Sequence, residues 1–309
     1  MLVLRGLDHY PPDRKESVVA LGSFDGVHRG HQEVLRATVT RARQLGLASL
    51  AVTFDPHPLV VLQPDRAPVP ITSLEEKLEL MGQAGLDATL VIPFTREFAL
   101  TEPEEFVGKV VRGTLRAREV VVGFNHRFGR GARGTSELLK QMAQELGFVA
   151  HIIPPLVIDG QVVSSSAVRE ALKSGNVRRA GSLLGRPYSV KGRVLRGEGR
   201  GHTIGFPTAN LRPERDLLLG RGVYLVQVEW DGQRANGVTN VGIRPTFGGE
   251  TPWIETYLLD FSGDLYDRPL RLHFLEWLRP EKRFESVQAL RAQIEKDLET
   301  ARRLLGQAS

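Results

Sequence analysis

The first half of the chain alternates short apolar runs with segments of helical periodicity, and this alternation constrains the fold more than any other feature. The apolar runs predict strands over residues 18–24, 50–54, 89–94 and 120–123. The periodic segments between and after them predict helices over 32–45, 73 to 82 or 85, from 101, and 135–147. Because strands separated by helices pair in parallel, we expect an α/β fold with a parallel sheet and helices on both faces.

The second half has a different pattern. Short apolar stretches are separated by turn sequences such as Asp231-Gly232 and Ser262-Gly263, which favours an antiparallel barrel or sandwich. Residues 284–305 carry apolar side chains at helical spacing, which predicts a C-terminal helix with a packing face. A chain of 309 residues is long enough for two cores. We therefore expect domains over 1–184 and 185–309, with the boundary at Gly185-Arg186-Pro187.

Composition excludes several classes of function. The sequence contains no cysteine, which rules out disulfides and thiol catalysis and suits a cytoplasmic protein. No apolar run approaches the roughly 20 residues that span a bilayer, so we expect no membrane segment. The formal net charge is +5 without a run of five like charges, so an anionic small molecule such as ATP is a better partner than nucleic acid.

A glycine-rich turn, Gly22-Ser23-Phe24-Asp25-Gly26-Val27-His28-Arg29-Gly30-His31, joins the first predicted strand to the first helix. Gly26 and Gly30 permit close backbone approach to a phosphate, and Gly22, Phe24 and Asp25 complete the same turn. His28 and His31 are suitable donors to developing phosphate charge. The turn predicts phosphate binding and transfer of a nucleotidyl group, without naming the acceptor.

A second segment, Ser164-Ser165-Ser166-Ala167-Val168-Arg169, opens another predicted helix. Serine is a good helix N-cap, so a purely structural role is one alternative. The other is that Ser164, Ser165, Ser166 and Arg169 bind the triphosphate of a nucleotide. The segment alone leaves both alternatives open.

Together these two segments resemble the nucleotidyltransferase superfamily, which pairs an H-x-G-H turn with a later I-S-S-T-x-x-R element. Ser166 stands here where threonine is usual and keeps the hydroxyl. Residues 53–58 (TFDPHP) and 122–129 (VGFNHRFG) resemble the flavin adenylyltransferase branch, although His126 replaces an aromatic residue of that branch. The resemblance implies that His28, His31, Asn125, Ser164 and Arg169 contact ATP and the reacting phosphates. It also implies flavin contacts for Asn125 and His57, with a rigid turn as the alternative for His57.

The densest stretch of the second half is Gly197 to Leu211, GEGRGHTIGFPTANL. Gly199, Gly201 and Gly205 allow a loop to fold over phosphates, and Pro207 makes the following backbone rigid. Thr208 and Asn210 offer hydroxyl and amide oxygens, which are suited to Mg²⁺ bound with nucleotide phosphates. A simple loop and turn is the structural alternative.

The string G-F-P-T-A-N resembles riboflavin kinases, as do residues 240–247, 254–261 and 278–284. By this resemblance the second half is a six-stranded barrel. Glu255 would accept the proton of the attacking hydroxyl, and Arg279 would contact the flavin.

The whole chain from about residue 15 resembles the bacterial bifunctional riboflavin kinases/FAD synthetases. This implies a Rossmann-like sheet for the first half. It also implies that riboflavin, FMN, FAD and ATP are substrates and products, with Mg²⁺ as cofactor. One rival hypothesis is a different nucleotidyltransferase, such as a cytidylyltransferase or a pantetheine-phosphate or nicotinate-mononucleotide adenylyltransferase. The other is a flavin- or nucleic-acid-binding protein without catalysis. Oligomeric state is left open.

Overall fold

The computed structural model describes residues 1–11, 15–196, 205–246 and 249–306. The chain divides into two compact units, residues 1–165 and 166–309. This division places residues 166–184, which precede the barrel in sequence, in the second unit. The predicted domain boundary at 184/185 stays a prediction.

The first unit contains a six-stranded sheet in which every pair is parallel. Its strands are β1 (Leu2–Arg5), β2 (Ser17–Leu21), β3 (Ala48–Asp55), β4 (Ala88–Pro93), β5 (Ala117–Gly123) and β6 (Val149–Ile153). Their order in the sheet is β1-β4-β3-β2-β5-β6. The predicted parallel sheet is confirmed. A two-stranded hairpin, β7 (Val157–Ile158) and β8 (Gln161–Val162), follows it.

Helices cover both faces of this sheet. They are α1 (Arg29–Leu45), α2 (Pro58–Leu62), α3 (Leu74–Gln83), α4 (Pro103–Glu105), which continues as a π-helix over Phe106–Thr114, and α5 (Ser136–Leu146). Along β2, Val18 and Ala20 join one apolar core with α1 and α3, while Val19 and Leu21 join another with the π-helix and α5. This alternation follows from the two-residue period of a strand and explains why β2 is buried throughout.

The order of strands places a topological switch point between β2 and β5. From β2 the chain proceeds to β3 and β4 on one side, and later to β5 and β6 on the other. A crevice opens at the carboxyl ends of strands at such a point, and ligands of open α/β sheets bind there. The glycine-rich turn leaves β2 at this end of the sheet.

Two strands of the sheet, β1 and β6, were not among those predicted. Both lie at edges of the sheet, and their residues are at most half-buried. An edge strand lacks the fully apolar run of a central parallel strand, which is the pattern that identified the other four.

The second unit contains a closed barrel of six antiparallel strands. They are β9 (Tyr188–Leu195), β10 (Ala209–Pro213), β11 (Gly222–Trp230), β12 (Gln233–Thr246), β13 (Gly249–Leu258) and β14 (Pro269–Arg279). The order is β10-β13-β12-β11-β14-β9, and β9 pairs with β10 to close the ring. Among the described residues of this part of the chain, three helices are present: α6 (Ser165–Lys173), α7 (Val177–Leu184) and α8 (Val287–Gly306). The predicted barrel and C-terminal helix are confirmed.

Helix α8 packs on the outside of the barrel. Its Leu298 and Ala301 join a buried cluster with Val223, Leu225 and Val238 from β11 and β12. The predicted apolar stripe of this helix is therefore a packing face.

Candidate active sites

His28 caps the helix that begins at the switch point. Its Nδ1 accepts a hydrogen bond from the backbone N–H of His31 at 3.2 Å, and helix α1 starts at Arg29. The helix therefore begins three residues earlier than predicted, because an imidazole does the work of a serine or aspartate cap. Since Nδ1 is an acceptor, a ring proton of neutral His28 lies on Nε2, where it is a donor to an anion.

His31 lies in the first turn of α1, with its ring stacked on that of His28. The ring centroids are 3.6 Å apart with an interplanar angle of 14°. Burial, then the neighbouring His28, then Lys77 hold the pKa of His31 well below its usual range. Its Nδ1 is buried and has no hydrogen-bond partner among the described residues. His31 is thus neutral at pH 7, and the helix N-terminus supplies the positive potential of this turn.

Two glycines of the turn are required by close packing. A Cβ on Gly30 would meet the His28 ring at 3.3 Å, and it faces the carbonyl oxygen of Val163 at 3.7 Å. Gly26 has φ +79°, and a Cβ there would meet Ile71 Cγ2 at 2.9 Å. A Cβ on the third, Gly22, would meet the Phe24 ring at 3.0 Å. The glycines predicted for phosphate approach therefore also let the turn close on its surroundings.

Phe24 and Asp25 support the turn from beneath. Phe24 is 1% exposed, and its ring meets the His31 ring edge-on at 5.3 Å. The buried carboxylate of Asp25 accepts hydrogen bonds from the backbone N–H groups of Ile71, at 3.0 Å, and Thr72, at 3.3 Å. These contacts tie the turn to the segment before α3, and the phosphate contact of both residues stays a prediction.

The structure brings the serine segment to the glycine-rich turn. The Ser165 hydroxyl donates to the carbonyl oxygen of Asp25 at 3.0 Å, and Val163 lies against Gly30. Ser164 directly precedes α6, while Ser166 and Arg169 lie within that helix and belong to the second compact unit. The two segments that suggested nucleotide binding therefore meet at residues 25–30 and 163–165.

Lys77 is a buried cation at this end of the sheet that the sequence analysis did not identify. Its Nζ donates to the carbonyl oxygens of Ser23 and Phe54 and to Thr53 Oγ1, at 3.1 to 3.3 Å. Burial lowers its pKa, opposed by the charges of Asp25 and Asp55. A lysine on the apolar face of a capping-box helix was the available signal, since lysine is seldom buried without partners.

His57 and Asn125 follow the carboxyl ends of β3 and β5, the strands on either side of β2. His57 caps α2, with its Nδ1 accepting from the N–H of Leu59 at 3.2 Å. Asn125 is exposed in the turn after β5. Beside it, the His126 ring stacks on Phe128 with centroids 5.7 Å apart, and burial lowers the pKa of His126 to about 4. The topology thus places the segments that follow three neighbouring parallel strands, β3, β2 and β5, at the same edge of the sheet.

In the barrel, three polar residues form a row across adjacent strands. Asn210 of β10 is the register partner of Glu255 of β13, and Glu255 is the partner of Asn240 of β12. Directly opposed residues of antiparallel strands lie on the same face, with Cβ atoms about 4.5–5.5 Å apart. Their sequence neighbours Leu211 and Ile254 are buried on the other face. We call Asn210, Glu255 and Asn240 the polar row.

The segment leading into the polar row is partly described. Gly205 has φ +85° and is exposed, as is Pro207, while Phe206 packs edge-on against Tyr257 at 5.7 Å. Gly199 and Gly201, predicted to hold phosphates, lie outside the described residues. Thr208 directly precedes β10, so the pleat puts its side chain on the same face as Asn210.

The donor set of this face fits a magnesium ion that is shared with a nucleotide. Thr208 and Asn210 offer neutral oxygens, and Glu255 offers a carboxylate across the strand. Within the described ranges no cluster of three His, Cys, Asp or Glu side chains forms a metal cage. Mg²⁺ in proteins is commonly held by few protein oxygens together with substrate phosphates and water, which matches this set.

Arg279 is bound to the C-terminal helix. Its Nε and Nη2 donate to both carboxylate oxygens of Asp297 at 2.8–3.0 Å, and Gln293 donates to the same carboxylate at 2.9 Å. The third guanidinium nitrogen, Nη1, donates to Pro280 O at 3.0 Å. This pairing joins β14 to α8, and a flavin contact for Arg279 stays a prediction.

No helix in the described part of the chain is long and apolar enough to cross a membrane.

The crystal structure of a protein described as a macrolide-efflux protein from Streptococcus pneumoniae has the same fold, with a TM-score of 0.90 at 32% identity. The match covers 98% of this chain and 99% of that one.

Family models match both halves: FAD synthetase over residues 10–167 and riboflavin kinase over residues 184–305. The bifunctional riboflavin kinase/FMN adenylyltransferase of Escherichia coli K12 is 38% identical over 99% of this chain and 98% of its own length. The protein of the same description from Bacillus subtilis is 38% identical over 94% of this chain and 92% of its own. The chain belongs to the family of bifunctional riboflavin kinases/FMN adenylyltransferases, with the FAD synthetase part N-terminal and the riboflavin kinase part C-terminal.

Proposed function

We propose that this chain makes FMN and FAD at two separate sites, in domains over residues 1–184 and 185–309. The second domain phosphorylates riboflavin with ATP, and the first adenylylates FMN. The observation that carries the division is that each set of reactive residues occurs in a different compact core: the His28–His31 pair at the switch point, and the polar row on the barrel.

In the first reaction, a phosphate oxygen of FMN attacks the α-phosphorus of ATP, a new P–O bond forms, and pyrophosphate leaves with the electrons of the broken P–O bond. The N-terminus of α1 and the His28 Nε2 proton stabilise the negative charge that accumulates on phosphate oxygens. His31 stays neutral, stacks on the His28 ring and is the second imidazole donor to the reacting phosphates. Ser164, Ser165 and Arg169 bind the triphosphate, and Asn125 and His57 orient the flavin phosphate from the flanking strands.

In the second reaction, the ribityl 5′-hydroxyl oxygen attacks the γ-phosphorus of ATP and ADP leaves. Glu255 accepts the proton of that hydroxyl. Thr208 and Asn210 are the residues that would hold Mg²⁺. When bound, this ion neutralises charge on the β- and γ-phosphates. Gly199, Gly201, Gly205 and Pro207 bind the ATP phosphates, and Arg279 contributes to the flavin subsite.

We further propose that the enzyme works in the cytoplasm and has no nucleic-acid partner. A cysteine-free chain suits either redox state, and the supply of ATP favours the cytoplasm. Interspersed charges, with no like-charged run of five, support an anionic small-molecule partner over nucleic acid.

Chromatography of flavins tests the assignment. Incubation with riboflavin, ATP and Mg²⁺ should yield FMN and then FAD, and incubation with FMN and ATP should yield FAD with pyrophosphate. Preference for cytidine triphosphate, or for phosphopantetheine or nicotinate mononucleotide over FMN, would favour another nucleotidyltransferase. Tight flavin binding without any turnover would favour the binding-protein hypothesis.

A further inference from the structure

We propose that Trp253 is a positioning residue for the kinase reaction, because its indole N–H holds the carboxylate of Glu255. The inference rests on the proposed role of Glu255 as the proton acceptor. Nothing in the sequence motifs points to Trp253, which lies two residues before Glu255 and outside the polar row.

The contact that carries the proposal is a direct hydrogen bond. Trp253 Nε1 donates to Glu255 Oε1 at 2.8 Å, a distance typical of a bond to a charged acceptor. Both residues lie on β13, and residues two apart on a strand project from the same face. The bond therefore follows from the pleat of the strand and requires no distant element.

The surroundings of Glu255 give the indole a distinct role. Across the two pairing strands its neighbours are Asn210 and Asn240, whose amides carry no net charge. Glu255 is half-buried and has three rotatable side-chain bonds, so an unheld carboxylate would sample several rotamers. A proton acceptor must meet the hydroxyl at hydrogen-bond distance during transfer. The hydrogen bond from the indole restricts the rotamers of the Glu255 side chain. Because the indole is rigid, it loses little conformational entropy in making this bond.

A residue that only orients the acceptor should affect the chemical step and leave substrate binding nearly unchanged. We expect Trp253→Phe, which removes the donor and keeps an aromatic ring, to lower the kinase kcat by about tenfold to hundredfold, the range for loss of a hydrogen bond to a charged group. The KM values for riboflavin and ATP should stay within about twofold. FMN-to-FAD conversion by the same variant should be unchanged, and it serves as an internal control of folding.

A double-mutant cycle with Glu255→Gln separates positioning from a general structural effect. If Trp253 acts through the carboxylate, Trp253→Phe should have little further effect on the residual kinase rate of the Glu255→Gln variant. Trp277→Phe is the matched control, because it is the same substitution on another strand of the barrel, at a side chain that is 40% exposed. It should leave the kinase kcat unchanged.

The outcomes are distinguishable. A normal kinase rate in Glu255→Gln overturns the proposed base, and the inference with it. A strongly impaired Glu255→Gln variant together with a normal Trp253→Phe variant overturns the inference alone. The inference is also overturned if Trp253→Phe lowers the kinase rate equally in the wild-type and Glu255→Gln backgrounds. A Trp253→Phe variant with a raised KM and an unchanged kcat has the same consequence. If Trp253→Phe loses both activities through misfolding, 3-benzothienylalanine at position 253 replaces it, since this residue keeps the bicyclic shape and has sulfur in place of the N–H. The same lowered kcat is then expected, and a normal kcat overturns the inference.

Discussion

His28 and His31 form a stacked pair in which His28 also caps the helix whose first turn contains His31: the His28 ring accepts the His31 backbone N–H at 3.2 Å. The capping contact fixes which His28 nitrogen carries the ring proton. The structural role and the proposed chemical role therefore coincide in one side chain, and they can be separated by the choice of substitution.

We expect His28→Ala to block FAD formation while FMN accumulates from riboflavin. Removal of one such donor lowers a rate by about 10²–10³, and loss of the cap costs about 1 kcal/mol of stability. His28→Asn is the matched variant, because asparagine caps helices well but lacks the imidazole. It should lose the adenylylation rate and keep the stability. Flavin chromatography and urea unfolding measure the two effects; full activity in His28→Asn would refute a chemical role for the imidazole.

Asn210→Ala should have the opposite consequence. Loss of an oxygen ligand from the face of the polar row should abolish most FMN formation, whereas supplied FMN should be converted to FAD at the normal rate. Asn236→Ala, on β12 and outside the polar row, is the control and should retain both reactions. Loss of both activities in a folded Asn210→Ala protein would contradict the assignment of two sites.

Lys77→Met should weaken both the first unit and its reaction. The substitution leaves the buried oxygens of Ser23, Thr53 and Phe54 without their shared donor, which should cost about 1–3 kcal/mol of unfolding free energy. Because Ser23 belongs to the glycine-rich turn, adenylylation should fall while the kinase rate is kept. Lys109→Met is a suitable control, since that side chain is 77% exposed. Equal free energies of unfolding for the two variants, measured with urea, would contradict a stabilising role for the hydrogen bonds of Lys77.

The Arg279–Asp297 pair predicts a large penalty for removing one partner. Their side chains are only 14% and 8% exposed, so Asp297→Ala leaves a buried guanidinium uncompensated. We expect a loss of about 3–5 kcal/mol of unfolding free energy. The double variant Arg279→Met/Asp297→Leu should recover much of it. Asp260→Asn, at an exposed carboxylate paired with Arg302, should change stability by less than about 0.5 kcal/mol. An additive double variant would argue that the two residues act independently.

His126 makes the free energy of unfolding depend on pH between about 4 and 6.5. Burial lowers its pKa in the folded protein to about 4, from 6.5 in an unfolded chain. Between these values the unfolded chain binds the proton and the folded chain does not, so acidification favours unfolding. His126→Phe should therefore lose less stability than the wild type between pH 7.5 and pH 5. Urea unfolding at both values measures this, and parallel losses would show that His126 titrates normally.

Much of the fold could be predicted from the sequence, because buried parallel strands and capped helices leave local patterns. The fully apolar run of β2 and the capping box of Ser73 are examples. The edge strands β1 and β6 have no such pattern, since each pairs with one neighbour and none of their residues is fully buried. The start of α1 was placed at 32 because histidine is an uncommon cap.

The motifs of both candidate sites could likewise be identified in the sequence, but the residues that contact and hold the motif side chains could not. Lys77, Trp253 and Asp297 act through contacts with residues that their own sequence neighbourhood does not reveal. Asp25 is a different case. Its place in the glycine-rich turn predicts a phosphate contact, whereas its buried contacts with Ile71 and Thr72 can be identified only in three dimensions.

The hydrogen bond between Ser165 and Asp25 joins residues separated by 140 positions. During synthesis the ribosome releases the glycine-rich turn early, and the serine that completes it emerges only after the whole sheet has been made. A nascent or truncated chain that stops before Ser165 therefore carries the histidine pair without its closing partner. The closed turn is thus a property of chains whose synthesis has passed Ser165.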